Sequence, residues 1–302
     1  SLPWVKEPAN ELYEIYGFKI FEHGLIYQFY SHRLNIVSAL PELYAPPLTL
    51  AQTERFGTFS FVCVGAMVDA SCKRATNINV STPIEKSSSL KLGLGADYYS
   101  QEIPTAMLDT LKAQGKRIIY VTLGTVVSSK TVVWQSPLGH YADGNDEGEA
   151  EDGRNLRQFS GKDICQYIWR RCFEAFGDDD SLHIVMLLGP QPDVLVGMPE
   201  VPSNFTLRQA VPQLEMLAKC DLLVSHGGAN SIHEALSCGV PLIVIPILGD
   251  QPVNADTLSV TNAGASFRHP LKSLTSSALR EKAKRFLESP EGNPHRRVAQ
   301  EL

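Results

Sequence analysis

The stretch Leu222–Asn254, LLVSHGGANSIHEALSCGVPLIVIPILGDQPVN, decides the fold. Its apolar opening, Leu222 to Val224, predicts a short buried strand that ends in the turn His226-Gly227-Gly228. A helix follows, with Ser231, Glu234 and Ala235 on successive turns, and Cys238-Gly239 stops it. Pro241 to Ile247 predicts a second buried strand leading to a polar tip at Asp250-Gln251. Together these make one βαβ unit, because parallel strands are joined through such a crossover. Ligands of open α/β sheets bind beyond the carboxyl ends of the strands. That edge carries His226, Gly228, Asn230 and Ser231 at one strand end and Asp250 with Gln251 at the other.

This chemistry suits an anionic ligand that bears hydroxyls. Glycines let the backbone approach a phosphate, and a helix N-terminus offers unpaired N–H groups and a positive dipole end. Asn230 and Ser231 add side-chain donors, Glu234 is placed to accept from ribose hydroxyls, and Asp250 and Gln251 suit a second polyol. The plainer alternative is an ordinary βα turn with capping residues; polar groups at two neighbouring strand ends weigh against it.

Outward from this unit the pattern repeats. Upstream, Pro104 to Gln114 predicts an amphipathic helix with Met107, Leu108 and Leu111 on one face, stopped by Gly115. Arg117 to Leu123 follows as a buried strand ending in Gly124-Thr125. Ile164 to Phe176 forms a helix with Ile168, Cys172 and Phe176 at four-residue steps, and His183 to Leu188 and Asn204 to Leu207 are strands. Pro212 to Ala218, Ala255 to Asn262 and Leu279 to Leu287 are helical, and Gly264-Ala265 turns into a short strand. Repeated βα units imply a doubly wound parallel sheet, a Rossmann-like α/β domain over residues 101–302.

Residues 1–100 form a separate region. Leu34 to Ser38 and Phe59 to Gly65 are short strands, Leu40 to Pro47 is a proline-marked loop, and 67–95 reads as a linker. The aromatic cluster Tyr13, Tyr16, Phe18, Phe21, Tyr27, Phe29 and Tyr30 either lines an apolar pocket or packs on a sheet; packing is preferred. Between the helices of the second region, 136–161 carries Asp143, Asp146, Glu147, Glu149, Glu151 and Asp152 among glycines. It lacks the Asp-x-Asp-x-Asp-Gly spacing of a calcium loop and is read as a flexible, solvated insertion without metal.

Composition narrows the function. With 27 Lys and Arg against 33 Asp and Glu, the chain has net charge −6 and no basic block, so nucleic acid is not a predicted partner. Six cysteines without paired spacing predict reduced, buried thiols. No apolar run reaches the roughly 18 residues of a membrane span, and no signal-peptide pattern opens the chain. A cytoplasmic monomer or weak dimer is expected. Two triplets, Asn79-Val80-Ser81 and Asn204-Phe205-Thr206, fit the glycosylation pattern by chance.

The string HGGANSIHEALSCGVPLIVIPILGDQPVNA, preceded by Val211-Pro212-Gln213-Leu214, resembles the donor-site signature of the UDP-dependent glycosyltransferases of family 1, which include macrolide, plant secondary-metabolite and sterol glycosyltransferases. The resemblance implies the GT-B fold, with a C-terminal donor domain here preceded by part of a second Rossmann-like acceptor domain. It also implies inverting, metal-independent transfer of a sugar from a UDP-sugar to a hydroxyl of a small, apolar acceptor, with no other cofactor.

Donor-binding roles follow for Thr125, Val211, Gln213, His226, Gly228, Asn230, Ser231, Glu234, Asp250 and Gln251. His226 and the N–H groups around Gly228 to Ser231 would stabilise the leaving diphosphate, although Thr125 is equally a capping residue. The family's usual aromatic two places before Pro212 is Ala210 here, so either Arg208 or another ring compensates or base selectivity is loosened. The family's base, an early His, has no match: His23 and His32 come too late. An N-terminally truncated chain that binds donor and transfers poorly is therefore expected. Two alternatives stay open: a non-catalytic nucleotide-sugar module or half of a two-chain enzyme, and another GT-B enzyme such as a lipid-linked sugar transferase or an epimerase.

Overall fold

A computed structural model describes residues 35–37, 61–63, 96–100, 102–139 and 153–288, with Glu14 and Val298 singly. The chain divides into two compact units, Ser1–Pro41 with Ala45–Gly65, and Glu42–Tyr44 with Ala66–Leu302. In the first, strands β1 (Asn35–Val37) and β2 (Phe61–Cys63) pair in parallel, with Ile36 opposite Val62. Both fall where the apolar runs predicted them. The aromatic cluster, the proline loop, the 67–95 linker and the acidic residues 143–152 lie outside the described residues.

The second unit is built on helix α1 (Thr105–Ala113), strand β3 (Arg117–Thr122), helices α2 (Thr125–Ser129), α3 (Thr131–Gln135) and α4 (Gly161–Phe176), strands β4 (Leu182–Leu187) and β5 (Phe205–Arg208), helix α5 (Gln213–Leu217), strand β6 (Leu222–Ser225), helix α6 (Ala229–Ser237), strand β7 (Leu242–Val244), helix α7 (Gln251–Thr261), strand β8 (Gly264–Ser266) and helices α8 (Pro270–Ser273) and α9 (Ser276–Leu287). Its six strands form one sheet in the order β5-β4-β3-β6-β7-β8, all neighbours parallel. Central strands buried on both faces need continuous apolar runs. Ile118, Ile119, Tyr120 and Val121 of β3 have no accessible surface, nor do Leu222, Leu223 and Val224 of β6.

Alternate residues face two layers. Ile119, Val121, Ile184, Met186 and Val224 belong to the main core with α4 and α9. The predicted stripe Ile168, Cys172 and Phe176 on α4 is fully buried there, each apolar side chain contributing about 1.5–3 kcal/mol. A reciprocal capping box starts α4: Asp163 N donates to Ser160 Oγ at 3.1 Å, and Ser160 N donates to Asp163 Oδ2 at 2.9 Å. Among the described residues, no helix is long and apolar enough to cross a membrane.

Four expectations change. The end of the segment assigned to the flexible insertion is packed at Phe159: Leu138 N donates to Phe159 O at 2.7 Å, and both side chains are buried, although Arg157 and Gln158 before it are exposed. Met107 turns outward at 36% exposure while Leu108 alone of the predicted face is fully buried. Helices α2 and α3 were not anticipated, because Val-Val pairs favour strand locally; tertiary contacts override that weak preference. Buried Trp134 on α3 donates from Nε1 to Asp193 Oδ1 at 2.8 Å, and Lys162 Nζ holds the other oxygen at 2.6 Å. Finally, α7 begins at Gln251, four residues before the predicted start, since Pro252 is tolerated in a first turn.

The Asn204 triplet is no glycosylation acceptor in the folded chain. Its buried Nδ2 donates to the carbonyls of Phe176, Asp179 and Leu182 at 2.8, 3.2 and 3.4 Å.

Asp221 joins the two central strands before their ladder begins. Its Oδ2 accepts from Ile118 N at 2.9 Å, and its own N–H donates to Ile118 O at 2.8 Å. Asp221→Ala leaves a buried N–H without its acceptor, and urea titration is expected to show a loss of about 1–3 kcal/mol.

Candidate functional site

The chain leaves β3 outward to β4 and β5, then returns to β6 on the other side of β3. The carboxyl ends of β3 and β6 therefore flank the switch point of the sheet, where open α/β sheets bind ligands. The turn after β3 holds Gly124 and the turn after β6 holds His226, and the two turns meet. A Cβ on Gly124 would sit 2.5 Å from His226 Cε1, and one on Gly228 would sit 2.7 Å from His226 Nε2. The imidazole is thus seated between two glycines about a hundred positions apart, and Gly124 also needs its positive φ of 72°. Ser225 Oγ lies 3.3 Å from Nδ1.

This seat fixes the charge of His226. Removal from water pushes its pKa down to about 4, against the opposing pull of Asp250's charge and a backbone hydrogen bond at Thr122. At neutral pH the ring is an uncharged hydrogen-bonding group, not the cation that leaving-group stabilisation by charge would use. Beside it, α6 starts at Gly228 with no side chain capping its N-terminus, so its first N–H groups face the edge unsatisfied by a cap.

On the far side of α6's first turn, three expected residues form one cluster. Gln213 Nε2 donates to Glu234 Oε2 at 2.6 Å and to Ser231 Oγ at 3.2 Å. Ser231 and Glu234 are themselves buried. The carboxylate is held ready by the first residue of α5, which reaches across from the loop after β5.

The opposite flank is set by α7. Asp250 is exposed and Gln251 buried. Gln251 Oε1 accepts from the N–H groups of Ile247 and Leu248 at 2.8 and 3.0 Å, so only its amide N–H groups remain for a ligand. Asn254, unassigned by the sequence reading, ties the two turns: its Nδ2 donates to Gly227 O at 3.0 Å and to Asp250 Oδ2 at 2.9 Å. Its spacing of four from Asp250 on a helix was the available signal.

Thr125 and Val211 share the edge without joining these clusters. Thr125 is exposed at the start of α2, while Val211's side chain is buried, which leaves only its main chain to offer. Asn230 is exposed in the first turn of α6. His233 is buried inside α6. Cys165 and Cys172 are buried, and desolvation pushes both thiols up; thiols so placed are inert. Among the described residues, no group of three or more His, Cys, Asp or Glu is placed to hold a metal.

Known proteins resemble this chain in sequence and in fold. Residues 175–302 match the family described as erythromycin biosynthesis protein CIII-like, C-terminal domain. The chain is 41% identical over 113 residues to the NDP-glycosyltransferase YjiC of Bacillus subtilis (strain 168), covering 37% of this chain and 28% of that protein. It is 33% identical over 123 residues to the oleandomycin glycosyltransferase of Streptomyces antibioticus, covering 41% and 28%. Among solved structures, the UDP-glucose: anthocyanidin 3-O-glucosyltransferase in complex with UDP superposes with a TM-score of 0.52 at 19% identity, over 89% of this chain and 47% of that one. The glycotransferase of kitacinnamycin gives 0.52 at 18%, over 88% and 49%. The resemblance to family 1 glycosyltransferases holds, and the α/β fold is of the GT-B type. The aligned regions span only about 28% of the length of those two curated relatives.

The seat of His226 has a measurable signature. Its folded pKa, about 4, lies below the ordinary imidazole value of 6.5, so the unfolded chain takes up the proton first as pH falls. The neutral ring's contribution to stability is present above pH 6.5 and is lost between 6.5 and about 4. NMR titration of the His226 Cε1 proton is expected to give a midpoint near 4; a midpoint above 6 contradicts the seat.

Proposed function

We propose that this edge is the donor half of a glycosyl-transfer site that binds a nucleotide sugar, with UDP as the preferred nucleotide. The observation that carries the reading is the uncapped N-terminus of α6 beside a neutral His226 at the switch point of the sheet. Backbone N–H groups and the helix dipole favour a diphosphate there. Glu234, held by Gln213, takes the ribose hydroxyls, and Asp250 with the free amide of Gln251 takes sugar hydroxyls on the other flank. The relatives' names support the reading: several are nucleotide-dependent glycosyltransferases, and one is described in complex with UDP.

Transfer in this reading forms a bond from an acceptor oxygen to the anomeric carbon as the bond from that carbon to the diphosphate oxygen breaks. Attack from the face opposite the leaving group inverts the carbon. The electron pair leaves with the diphosphate, where the α6 N–H groups and the imidazole N–H stabilise it without a metal. The acceptor, a small and apolar molecule with a hydroxyl, loses its proton to a base outside this set of residues.

Isothermal titration with UDP and UDP-glucose tests the reading. Both are expected to bind, and absence of binding by either at millimolar concentration sinks it. Asp250→Ala should weaken UDP-glucose by roughly tenfold, the worth of a hydrogen bond to a charged group, and leave UDP unchanged. Asn254→Ala, by contrast, releases the Gly227 carbonyl and the Asp250 carboxylate together, so both ligands should weaken.

A further inference from the structure

One end of the edge holds a buried charged group that no carboxylate among the described residues pairs with. Arg208 ends β5, the outer strand on the side of the sheet away from Asp250, and only 8% of it is accessible. Its Nη1 donates to the carbonyl of Leu207, its own neighbour in the chain, at 3.1 Å. Its Nε is buried with no acceptor, and no carboxylate of the described residues pairs with it. Arginine is almost never buried unless paired, and a native group left in this state calls for an explanation.

The register shows what Arg208 shares its surroundings with. Tyr120 pairs with Val185 and Val185 with Thr206, so strand alternation puts Arg208 on the same face of the sheet as Tyr120. The buried Met216 and Leu217 of α5 and Ile232, Ala235 and Leu236 of α6 are outside the core that α4 and α9 form on the other face with Ile119 and Val121, and Glu234 acts electrostatically on Tyr120. Arg208 therefore lies on the side of the Gln213–Glu234 cluster, three strand spacings from β6, roughly 14 Å. A nucleotide with its diphosphate at Gly228 and its ribose at Glu234 carries its base toward β5. The segment from Arg208 to Leu217, RQAVPQLEML, has no aromatic ring on which a base could stack, and the partly exposed Ala210 leaves that position open.

We propose that Arg208 reads the base of the donor by donating from its guanidinium to a carbonyl oxygen of the base. Nucleotides of uracil, thymine, cytosine and guanine offer such an oxygen; adenine has none. The inference rests on the donor-site reading and adds to it that selection works by hydrogen bonding from a strand-end arginine, in place of stacking. A planar, multi-donor fork is suited to this task, and lysine replaces it incompletely.

The test compares UDP with ADP by isothermal titration in the full chain and in Arg208→Met and Arg208→Lys, with thermal melts confirming that each variant is folded. The unaltered chain should bind UDP at least about tenfold more tightly than ADP, the discrimination expected of a good side-chain contact to a base. Arg208→Met should bring UDP down to the affinity of ADP without changing ADP, and Arg208→Lys should fall between. Because the ratio is taken within each protein, a general loss of affinity does not imitate the effect. Should Arg208→Met fail to fold, an unchanged ratio in Arg208→Lys overturns the assignment. A ratio near one in the unaltered chain, or one preserved in Arg208→Met, overturns the role of Arg208 alone. Binding of neither nucleotide overturns the donor reading with it.

Discussion

Parallel pairing is the constraint from which the molecule follows. Each strand of a parallel sheet must be followed by a connection that carries the chain back to the starting edge. In β3, β5, β6 and β7 the chain turns directly from a strand into a helix start, so α2, α5, α6 and α7 all begin on one side. Four sets of incompletely bonded backbone N–H groups are thereby collected along a single edge. The reversal of strand order between β3 and β6 opens a place where two of these turns face each other. There the chain needs a small residue from each side, and Gly124 and Gly228 leave the room that His226 fills.

The βαβ unit at 222–254 was legible because its signals are local: an apolar run, a glycine turn, a helical period and a second apolar run. The parallel sheet followed from the repetition of those signals, and every strand of it was anticipated, although β7 stops at Val244, three residues before the expected Ile247, and β8 begins on the Gly264-Ala265 pair expected to turn into it. Helices α2 and α3 were not, since Thr-Val-Val favours strand by itself and the helical conformation is fixed by Trp134 reaching Asp193, nearly sixty positions away. The same limit applies to the ends of the acidic segment. Leu138 and Phe159 look unremarkable in sequence, but they pair across it and bury both side chains.

At the site, residue types were readable and their states were not. His226 stands out in the sequence as a phosphate-facing residue. Its neutrality depends on desolvation by Gly124's turn, and no window around position 226 contains that information. Gln213, Ser231 and Glu234 entered as separate ligand contacts, whereas the fold joins them into one hydrogen-bonded cluster. Arg208 shows a related difficulty: its type is visible, but that it is buried with an orphaned Nε is a property of the packed sheet.

The Gln213–Glu234 hydrogen bond bears on how long a ligand stays. The carboxylate accepts a hydrogen bond from the Gln213 amide at 2.6 Å. A hydroxyl arriving at that oxygen either displaces the amide or shares the oxygen with it, so the gain is an exchange of one bond for another, and the net worth of such an exchange is small. The reverse holds on departure: as the hydroxyl leaves, Gln213 closes behind it and the buried carboxylate is never stranded. On the proposed donor reading, such a site favours short residence over tight grip, and for a transfer reaction whose spent nucleotide must clear before the next donor enters, residence time would set the ceiling on turnover.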